Sequence, residues 1–284
     1  MFPEIIFTGI ISVDNIKTTS GEKNGLLGGA ALYSALSASI FAECGIVSVI
    51  GMDFPKKYLA LISGRINNDG IAIMRGETAR FSLIYDKNWN ERYIELFFGV
   101  SKYLSTELFP ENYKQAKMLY IATMPPEKQI EWIDFGKKLG FIVAADTNSV
   151  FIEKNRNLYD YLLENTDFFF LNEREAQLLA GVDNEASIFD FLQNYPGCYI
   201  VKMGKKGSSI ITKEKEIIKT SAIKTDVVDT TGAGDSYAGA FLGAYISGYP
   251  LERCAQIANK IASITVSDFG VNGILDINSC EKIV

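Results

Sequence analysis

The chain alternates short runs of apolar, often β-branched residues with longer segments of helical pattern. The short runs fit buried strands, and the longer segments carry apolar residues along one side. The predicted strands are residues 4–11, 46–53, 117–124, 141–148, 167–173 and 198–204, and the predicted helices are residues 28–45, 56–71, 127–140 and 157–166. Because strands joined by helices make right-handed crossovers, this order predicts an α/β fold with a mainly parallel central sheet and helices on both faces.

Residues 79–100 break this alternation, because they form two strand-like runs joined by a polar turn at DKNWNE. A hairpin inside an α/β chain needs a surface to cover. We expect a small β lid over the functional site, formed by about residues 11–27 and 76–104; an ordinary edge hairpin is the alternative. No repeat or linker divides the chain, so residues 1–284 are expected to form one domain that carries this lid.

Composition limits the partners of the protein. Of its 284 residues, 48% are hydrophobic and 22% are charged, as in ordinary globular proteins, and the net charge is −6. This charge argues against nucleic acid or an anionic membrane as the main partner. No segment has the ~18 uncharged apolar residues that a membrane helix needs, and MFPEIIFTGIISVDN fits a first strand better than a signal peptide. We therefore expect a cytoplasmic protein with a small-molecule partner.

The chain contains no histidine, which excludes several kinds of site. Ser-His-Asp and Cys-His catalysis are not possible, nor are zinc or haem sites with histidine ligands. A general base must therefore be Asp, Glu, Lys, Tyr or Cys. The cysteines at positions 44, 198, 254 and 280 are far apart and form no CxxC pair, so we expect reduced thiols.

Polar residues follow several of the predicted strands. In parallel α/β sheets the functional site lies beyond the carboxyl ends of the strands. We therefore expect the site at this edge of the sheet. The residues concerned are Asp14, Asp53, Asp146 with Asn148, Asn172 with Glu175, and Gly204.

The stretch DVVDTTGAGDSYAGAFLGAYISG, residues 226–248, predicts a glycine-rich turn followed by a helix. Gly232 and Gly234 permit backbone angles that are closed to other residues and let a ligand approach the main chain. The N–H groups of Gly232, Ala233 and Gly234 would then face outward at the positive end of the helix. This arrangement suits a phosphate group.

Asp235 directly follows these glycines, where a carboxylate would repel a bound anion unless it had a task of its own. Phosphoryl transfer supplies that task, because a group must take the proton of the attacking hydroxyl. Alternatively, Asp235 only interacts with the helix dipole and the glycines only form a tight turn. A dinucleotide fingerprint is disfavoured because Tyr237 stands at its third glycine, and GKKGSS from Gly204 lacks the P-loop spacing and fits a turn between strands.

The motif DTTGAGDSYAGAFL closely resembles the C-terminal signature of the ribokinase-like, or phosphofructokinase-B-type, carbohydrate kinases. Other motifs are similar in order and spacing over nearly the whole chain, namely GIISVDN, GLLGGAALYSAL, VIGMD, AADTN, LNEREA, VKMGKKGSS and IANKIASITVSDFGVNG. Most are weak alone, and their combination makes the signal strong. The resemblance implies a ribokinase-like fold and ATP-dependent phosphorylation of a hydroxyl group.

The resemblance also implies roles in catalysis and in acceptor binding. The implied catalytic residues are Asp235 as the base with Gly232, Ala233 and Gly234 as the anion hole, and the implied acceptor-binding residues are Asp14, Gly28, Gly29 and Tyr33. Tyr33 departs from the family, which often has an asparagine there that contacts a sugar hydroxyl. This departure argues against ordinary ribose or fructose recognition.

Further roles concern the nucleotide and metal ions. The implied nucleotide contacts are Asn172, Lys202, Gly204, Gly207, Thr230 and Asn259, and the implied metal contacts are Asn172 and Glu175 for Mg²⁺, largely through waters, and Asp229 for a monovalent cation such as K⁺. On the residues alone, Asn172 and Glu175 could simply cap a helix. Asp229 could likewise cap a turn, and Lys202 could be a solvated charge at a strand end.

The acceptor is expected to be a free sugar or polyol, with a nucleoside as the alternative that would suit an aromatic-rich lid. Arg80 and Arg92 in the hairpin could hold a substrate phosphate, but solvated strand charges are favoured. A non-catalytic sugar or nucleotide sensor is disfavoured by the intact Asp235. Lid strands in this family often pair across a dimer, so a homodimer through the lid stays open.

Overall fold

The computed structural model describes residues 2–87, 89, 91–277, 279–280 and 283, and only the backbone of residues 91–93. Its strands are β1 (Ile5–Thr8), β2 (Ser12–Thr18), β3 (Gly21–Gly28), β4 (Cys44–Gly51), β5 (Asn67–Met74), β6 (Arg80–Tyr85), β7 (Glu91–Phe97), β8 (Met118–Ile121), β9 (Ile142–Asp146), β10 (Phe168–Asn172), β11 (Cys198–Lys202), β12 (Ser208–Ile211) and β13 (Ile217–Thr220). Its α-helices are α1 (Ala30–Ala38), α2 (Lys56–Ser63), α3 (Pro126–Lys138), α4 (Ser149–Asn155), α5 (Tyr159–Asn165), α6 (Glu173–Ala180), α7 (Glu185–Leu192), α8 (Ala233–Ile246), α9 (Leu251–Thr265) and α10 (Asn272–Leu275).

Nine of the described strands form a central sheet, in the order β13-β12-β11-β10-β9-β8-β1-β4-β5. All neighbours from β5 across to β11 are parallel, and β12 and β13 continue the sheet as antiparallel strands. Every residue of β1, β4 and β8 is buried, as expected for strands that are covered on both faces. The predicted α/β fold with a mainly parallel sheet is therefore confirmed, as is the turn between β11 and β12.

Helices cover both faces of this sheet. On one face α1, α8 and α9 pack in a core with Phe7 and Tyr120. On the other face α3, α5, α6 and α7 pack with Ile6 and Leu119. Adjacent residues of β1 and of β8 enter different cores because successive strand residues point to opposite faces. None of the described helices combines the length and apolar character needed to cross a membrane.

A second sheet has the strand order β3-β2-β6-β7 and contains strands from both segments that the sequence assigns to a lid. β2 pairs with β6 in parallel and with β3 in antiparallel orientation, and β6 and β7 form the predicted hairpin. Ile16, Leu83 and Tyr85 of this sheet form a small core with Phe269, and Val228 packs against it. Residues 88 and 90 of the predicted polar turn lie outside the described residues.

Three predicted elements differ most from the structure. The helix predicted for residues 28–45 ends at Ala38, and β4 begins at Cys44. The helix predicted for residues 56–71 ends at Ser63, and β5 begins at Asn67. A side chain at position 70 would collide with the main-chain oxygen of Ile46, so the glycine there lets β5 lie directly beside β4. The strand predicted for residues 4–11 ends at Thr8, because the chain turns at Gly9 and then enters the second sheet.

Candidate active site

The glycine-rich turn at the start of α8 leaves main-chain donors open. Gly232 is left-handed (φ 71°), and the helix begins at Ala233. Within the described residues, the N–H groups of Gly232 and Gly234 have no acceptor, whereas the N–H of Ala233 is donated to the main-chain oxygen of Thr230 at 3.3 Å. Open N–H groups at the positive end of a helix attract an anion. The turn can therefore hold a phosphate through at least two amides.

Asp235 lies in the first turn of α8 and is half-buried. The hydroxyl of Ser34 in α1 lies 2.9 Å from the main-chain oxygen of Asp235 and fixes this turn against α1. Farther along α8, Gly239 allows a close approach of the two helices, since a methyl group there would lie only 1.9 Å from the main-chain oxygen of Ser34. The packing of α1 on α8 thus determines where the Asp235 carboxylate stands.

Asp14 of β2 is 3% exposed and lies where the second sheet joins the central one. Its Oδ1 accepts the N–H of Phe81 from β6 at 3.2 Å. Burial raises the pKa of Asp14 to about 7, against the lowering effect of hydrogen bonds from Ser12 and Phe81. A side-chain carbon on Gly28 would lie 2.1 Å from Asp14 Oδ2, so that glycine makes room for the carboxylate.

Tyr33 of α1 lies between the acidic residues of the site and is 1% exposed. Its ring packs on Gly232, where a side-chain carbon would lie 2.4 Å from the ring. Its buried hydroxyl has no hydrogen-bond partner in the described part of the chain. Burial, and then the charges of Asp229, Asp14 and Asp235, raise the pKa of Tyr33, so the phenol is neutral and can donate a hydrogen bond.

Asp229 connects the loop before α8 to the loop after α9 by hydrogen bonds. It is 1% exposed, and its two carboxylate oxygens accept the N–H groups of Thr231 at 2.9 Å and of Gly270 at 3.1 Å. The second sheet reaches the same loop, since the hydroxyl of Tyr85 lies 3.0 Å from that of Thr231. The loop before α8 is therefore held both from the core and from the second sheet. The turn-capping role that the sequence allowed for Asp229 is present.

Asn172 and Glu175 form a reciprocal helix cap at the start of α6. Oε2 of Glu175 accepts the main-chain N–H of Asn172 at 2.7 Å, and Oδ1 of Asn172 accepts the N–H of Glu175 at 2.8 Å. Glu175 is buried, and this burial, with the nearby charge of Asp146, raises its pKa to about 8. The same two residues therefore cap α6 and place a buried carboxyl group near Asp146.

Lys202 and Asp146 form an ion pair that the sequence did not predict. Lys202 Nζ lies 2.6 Å from Asp146 Oδ2, and their side chains are only 14% and 3% exposed. Lys202 ends β11 and Asp146 ends β9, so they meet across the end of β10. Both are polar residues at strand ends, but only the strand order shows that they are neighbours. Lys202 is therefore not a solvated charge.

The residues implied for the nucleotide fall into two groups. Gly207 (φ 100°) and Asn259 both lie against Thr220, whose hydroxyl accepts the amide N–H of Asn259 at 2.9 Å. Gly204 (φ 54°) opens the turn between β11 and β12. Thr230 lies instead in the loop before α8, next to the open amides. Gly204, Gly207 and Asn259 therefore lie around the β11–β12 turn and α9, whereas Thr230 lies beside the open amides.

The acidic and basic groups of the site lie close enough to act on one another. The charge of Asp235 raises the pKa of Tyr33, of Glu175 and of Lys202, each of which comes from a different element. Arg80 does not join them, because it pairs with Glu77 on the second sheet. The Arg92 side chain lies outside the described residues.

Two surface hollows of the described chain lie away from the site. Surface hollows of about 420 and 290 Å³ are lined by residues 75–77 with 97–103, and by the outer face of the second sheet, and neither contains a predicted site residue. No cluster of three or more acidic or cysteine side chains suited to a metal ion is present among the described residues.

Open amides at a helix start, with a carboxylate in the first turn and beyond the ends of parallel strands, are the parts that a phosphotransferase needs. The chain belongs to the pfkB family of carbohydrate kinases, whose profile matches residues 14–278. The predicted family and the predicted phosphotransferase class are confirmed. Kinases of this family use ATP.

Relatives of known name align over almost the full chain. A cytidine kinase of Thermococcus kodakarensis is 30% identical over 274 residues, which cover 94% of this chain and 97% of that protein. The crystal structure of a nucleoside kinase from Methanocaldococcus jannaschii superposes with a TM-score of 0.80 at 26% identity, covering 98% and 96% of the two chains. A ribokinase from Cryptococcus neoformans in complex with ADP shares the fold, with a TM-score of 0.83 at 17% identity over 99% and 98% of the chains.

Proposed function

We propose that the protein is an ATP-dependent nucleoside kinase in which Asp235 acts as the general base. The observation that carries this proposal is the pair of open amides, at Gly232 and Gly234, immediately before Asp235. The amides, with that of Ala233, would hold the terminal phosphate of ATP. The carboxylate would take the proton of the acceptor hydroxyl as that oxygen attacks the phosphorus.

The acceptor would bind on the side of Asp14 and Tyr33. The buried Asp14 carboxylate can accept hydrogen bonds from sugar hydroxyls, and the open Tyr33 hydroxyl can donate one. Gly28 and Gly29 support this side by making room for Asp14 and for the main chain at Ile10. A nucleoside is favoured over a free sugar because the cytidine kinase is 30% identical over 94% of this chain. The half-buried ring of Phe81 beside Asp14 also offers an aromatic surface to a base.

A free sugar or polyol is the second candidate acceptor. The family name favours it, as do 5-dehydro-2-deoxygluconokinases of Listeria monocytogenes that are 27–28% identical over 85% of this chain. Both candidates present a hydroxyl to Asp235, so the catalytic residues would be the same.

The nucleotide would lie between the β11–β12 turn and the start of α8. The proposed contacts are Asn172, Lys202, Gly204, Gly207, Thr230 and Asn259. Both oxygens of Glu175 already accept N–H groups of Asn172, so these residues fit Mg²⁺ held through water rather than by direct ligation. The ion would neutralise charge on the phosphates. A monovalent cation such as K⁺ would bind beside Asp229, whose carboxylate also positions the loops by accepting two main-chain N–H groups.

An acceptor screen tests this function directly. Purified protein with ATP and Mg²⁺ would be offered ribonucleosides, deoxyribonucleosides, free pentoses and hexoses, and polyols, with ADP release and the phosphorylated product both measured. We expect a nucleoside monophosphate as the product with the highest kcat/KM. Phosphorylation of sugars or polyols alone would overturn the nucleoside assignment. Absence of phosphoryl transfer to every acceptor would overturn the kinase mechanism.

We also propose that residues 1–284 form one domain in which the second sheet is a lid and the protein is a homodimer through this lid. The outer face of the sheet exposes Ile84 and Ile94 by 37% and 56%. Exposed apolar side chains that lie together are typical of a protein interface. A monomer mass by light scattering at working concentrations would contradict the dimer.

A further inference from the structure

Lys202 is a buried cation whose hydrogen bonds the chain leaves incomplete. Its ammonium carries three N–H donors. Among the described residues it has one acceptor, Asp146 Oδ2 at 2.6 Å. Burial disfavours the charged form, but Asp146 and Glu175 outweigh it and raise the pKa of Lys202, so the side chain is a full positive charge.

The ammonium lies directly beside the open amides. A methyl group on Gly234 would lie 3.2 Å from Lys202 Nζ, and the N–H of Gly234 is one of the two amides without an acceptor among the described residues. The Asp235 carboxylate is also close enough to affect the pKa of Lys202. Cation, amides and carboxylate therefore border one space at the start of α8.

A purely structural role explains this pair poorly. Burying a lysine and an aspartate costs desolvation energy that the ion pair rarely exceeds, and apolar residues of similar size often stabilise as well. A cation beside open amides suits phosphoryl transfer, in which negative charge spreads over the equatorial oxygens of the moving group. Only one of the three N–H groups of the ammonium has an acceptor among the described residues, so the other two can donate to such oxygens.

We propose that Lys202 is a catalytic residue whose ammonium binds an oxygen of the ATP terminal phosphate and stays on it during transfer, with Asp146 as the residue that positions it. This inference rests on the phosphate site proposed above. In the step, the bond from phosphorus to the ADP oxygen breaks and a bond to the acceptor oxygen forms. The acceptor proton passes to Asp235, and Lys202 keeps all its protons.

The test compares Lys202→Met with the double variant Asp146→Asn/Lys202→Met, which replaces the ion pair by a neutral pair. Lys213→Met serves as the control, because Lys213 is also ion-paired, with Asp167, but is half-exposed and lies at the opposite edge of the sheet, where β10 begins. The measurements are kcat, the dissociation constants of ATP and of ADP, and the free energy of unfolding in urea.

We expect kcat to fall about 10²- to 10³-fold in Lys202→Met, as for the loss of other preorganised donors to a transition state. ATP should bind at least tenfold more weakly, while ADP, which lacks the terminal phosphate, should bind as in the wild type. The double variant should regain stability, because no buried charge is left alone, but not turnover. Lys213→Met should match the wild type.

Two results would overturn the proposal. Wild-type turnover in the double variant would show that the pair is only structural, and equal losses of ATP and ADP affinity would place Lys202 on another phosphate. Asp235→Asn, measured beside these variants, distinguishes failure of the proposed function from failure of the Lys202 proposal. Near-normal turnover of Asp235→Asn would contradict the whole proposed mechanism. Loss of turnover in Asp235→Asn together with an active double variant would contradict only the role of Lys202.

Discussion

Single residues of the site differ in whether the chain completes their hydrogen bonds. Asp229 and Glu175 have both carboxylate oxygens bonded to N–H groups. The amides of Gly232 and Gly234 and the hydroxyl of Tyr33 have no partner among the described residues. A polar group left open at a buried place costs free energy, so its retention points to a ligand that completes it.

Removal of the Tyr33 hydroxyl tests this view. Because the described chain gives that hydroxyl no partner, and an open buried polar group costs about 1–3 kcal/mol, Tyr33→Phe should raise the free energy of unfolding or leave it unchanged. If the acceptor completes the bond, its KM should rise about tenfold. Tyr237→Phe is the matched control, since the Tyr237 hydroxyl lies 2.7 Å from that of Ser208 and is buried. It should cost about 1 kcal/mol in stability and leave KM unchanged; the reverse pattern would refute the assignment of Tyr33.

The raised pKa of Asp14 predicts a pH dependence of stability. In the unfolded chain the carboxyl ionises near its ordinary pKa of 3.8, whereas in the folded protein its pKa is about 7. The folded state therefore holds more protons between these values, and its free energy of unfolding falls as pH rises from about 4 to about 7, by at most ~1.4 kcal/mol per pH unit. Urea unfolding at several pH values should show a weaker decline in Asp14→Asn, and an unchanged decline would contradict the burial argument.

At the scale of elements, α8 is shaped by its contact with α1. Where the two helices meet, Gly239 and Gly243 of α8 lie against the main chain of Ser34 and Ala38. This close packing brings Ser34 to the main chain of Asp235. The glycines of AGAFLG therefore let α8 approach α1 closely and so help to position the glycine-rich turn at the start of α8.

A methyl group at position 239 should disturb both stability and catalysis. Gly239→Ala would place a carbon 1.9 Å from the main-chain oxygen of Ser34, so α1 and α8 must move apart. Overpacking of this kind costs about 1–3 kcal/mol, and we expect kcat to fall with it. Gly64→Ala is the control, because a methyl there meets only ordinary contacts at 3.5 Å or more. Equal stability of the two variants in urea would refute this account of the helix contact.

The sequence predicted elements well where one pattern dominates. Apolar runs such as that of β10 and the turn-then-helix pattern of α8 gave the parallel sheet and the candidate turn. The polar and glycine residues at 67–71 resemble a helix end and so predict a helix, whereas pairing with β4 makes them a strand. The Asp146–Lys202 pair was also missed, because strand order, which is a property of the whole sheet, brings the two residues together.

At the scale of the whole molecule, the second sheet contacts the loop before α8. Thr18 of β2 donates its hydroxyl to the main-chain oxygen of Val228 at 2.9 Å, and Tyr85 of β6 reaches Thr231. Asp14, the proposed acceptor residue, is bonded to Phe81 within this second sheet. Movement of the second sheet would therefore change the acceptor side and the phosphate side together.

This connection predicts that acceptor binding suppresses wasteful hydrolysis of ATP. With the second sheet closed by an acceptor, water is excluded from the terminal phosphate, so phosphate should pass to the acceptor and not to water. We expect slow ATP hydrolysis without an acceptor and stoichiometric transfer with one, measured as inorganic phosphate and ADP together. Equal rates of phosphate release with and without the true acceptor would contradict a lid role.

The central claim is that main-chain amides hold the terminal phosphate of ATP while Asp235 takes the acceptor proton. The most direct test is the turnover and ATP affinity of Asp235→Asn, with the exposed Asp226→Asn from the same stretch as its control. We predict that Asp235→Asn binds ATP nearly as the wild type does and loses about 10³-fold or more in kcat, while Asp226→Asn keeps full activity. Turnover of Asp235→Asn close to that of the wild type would contradict the account.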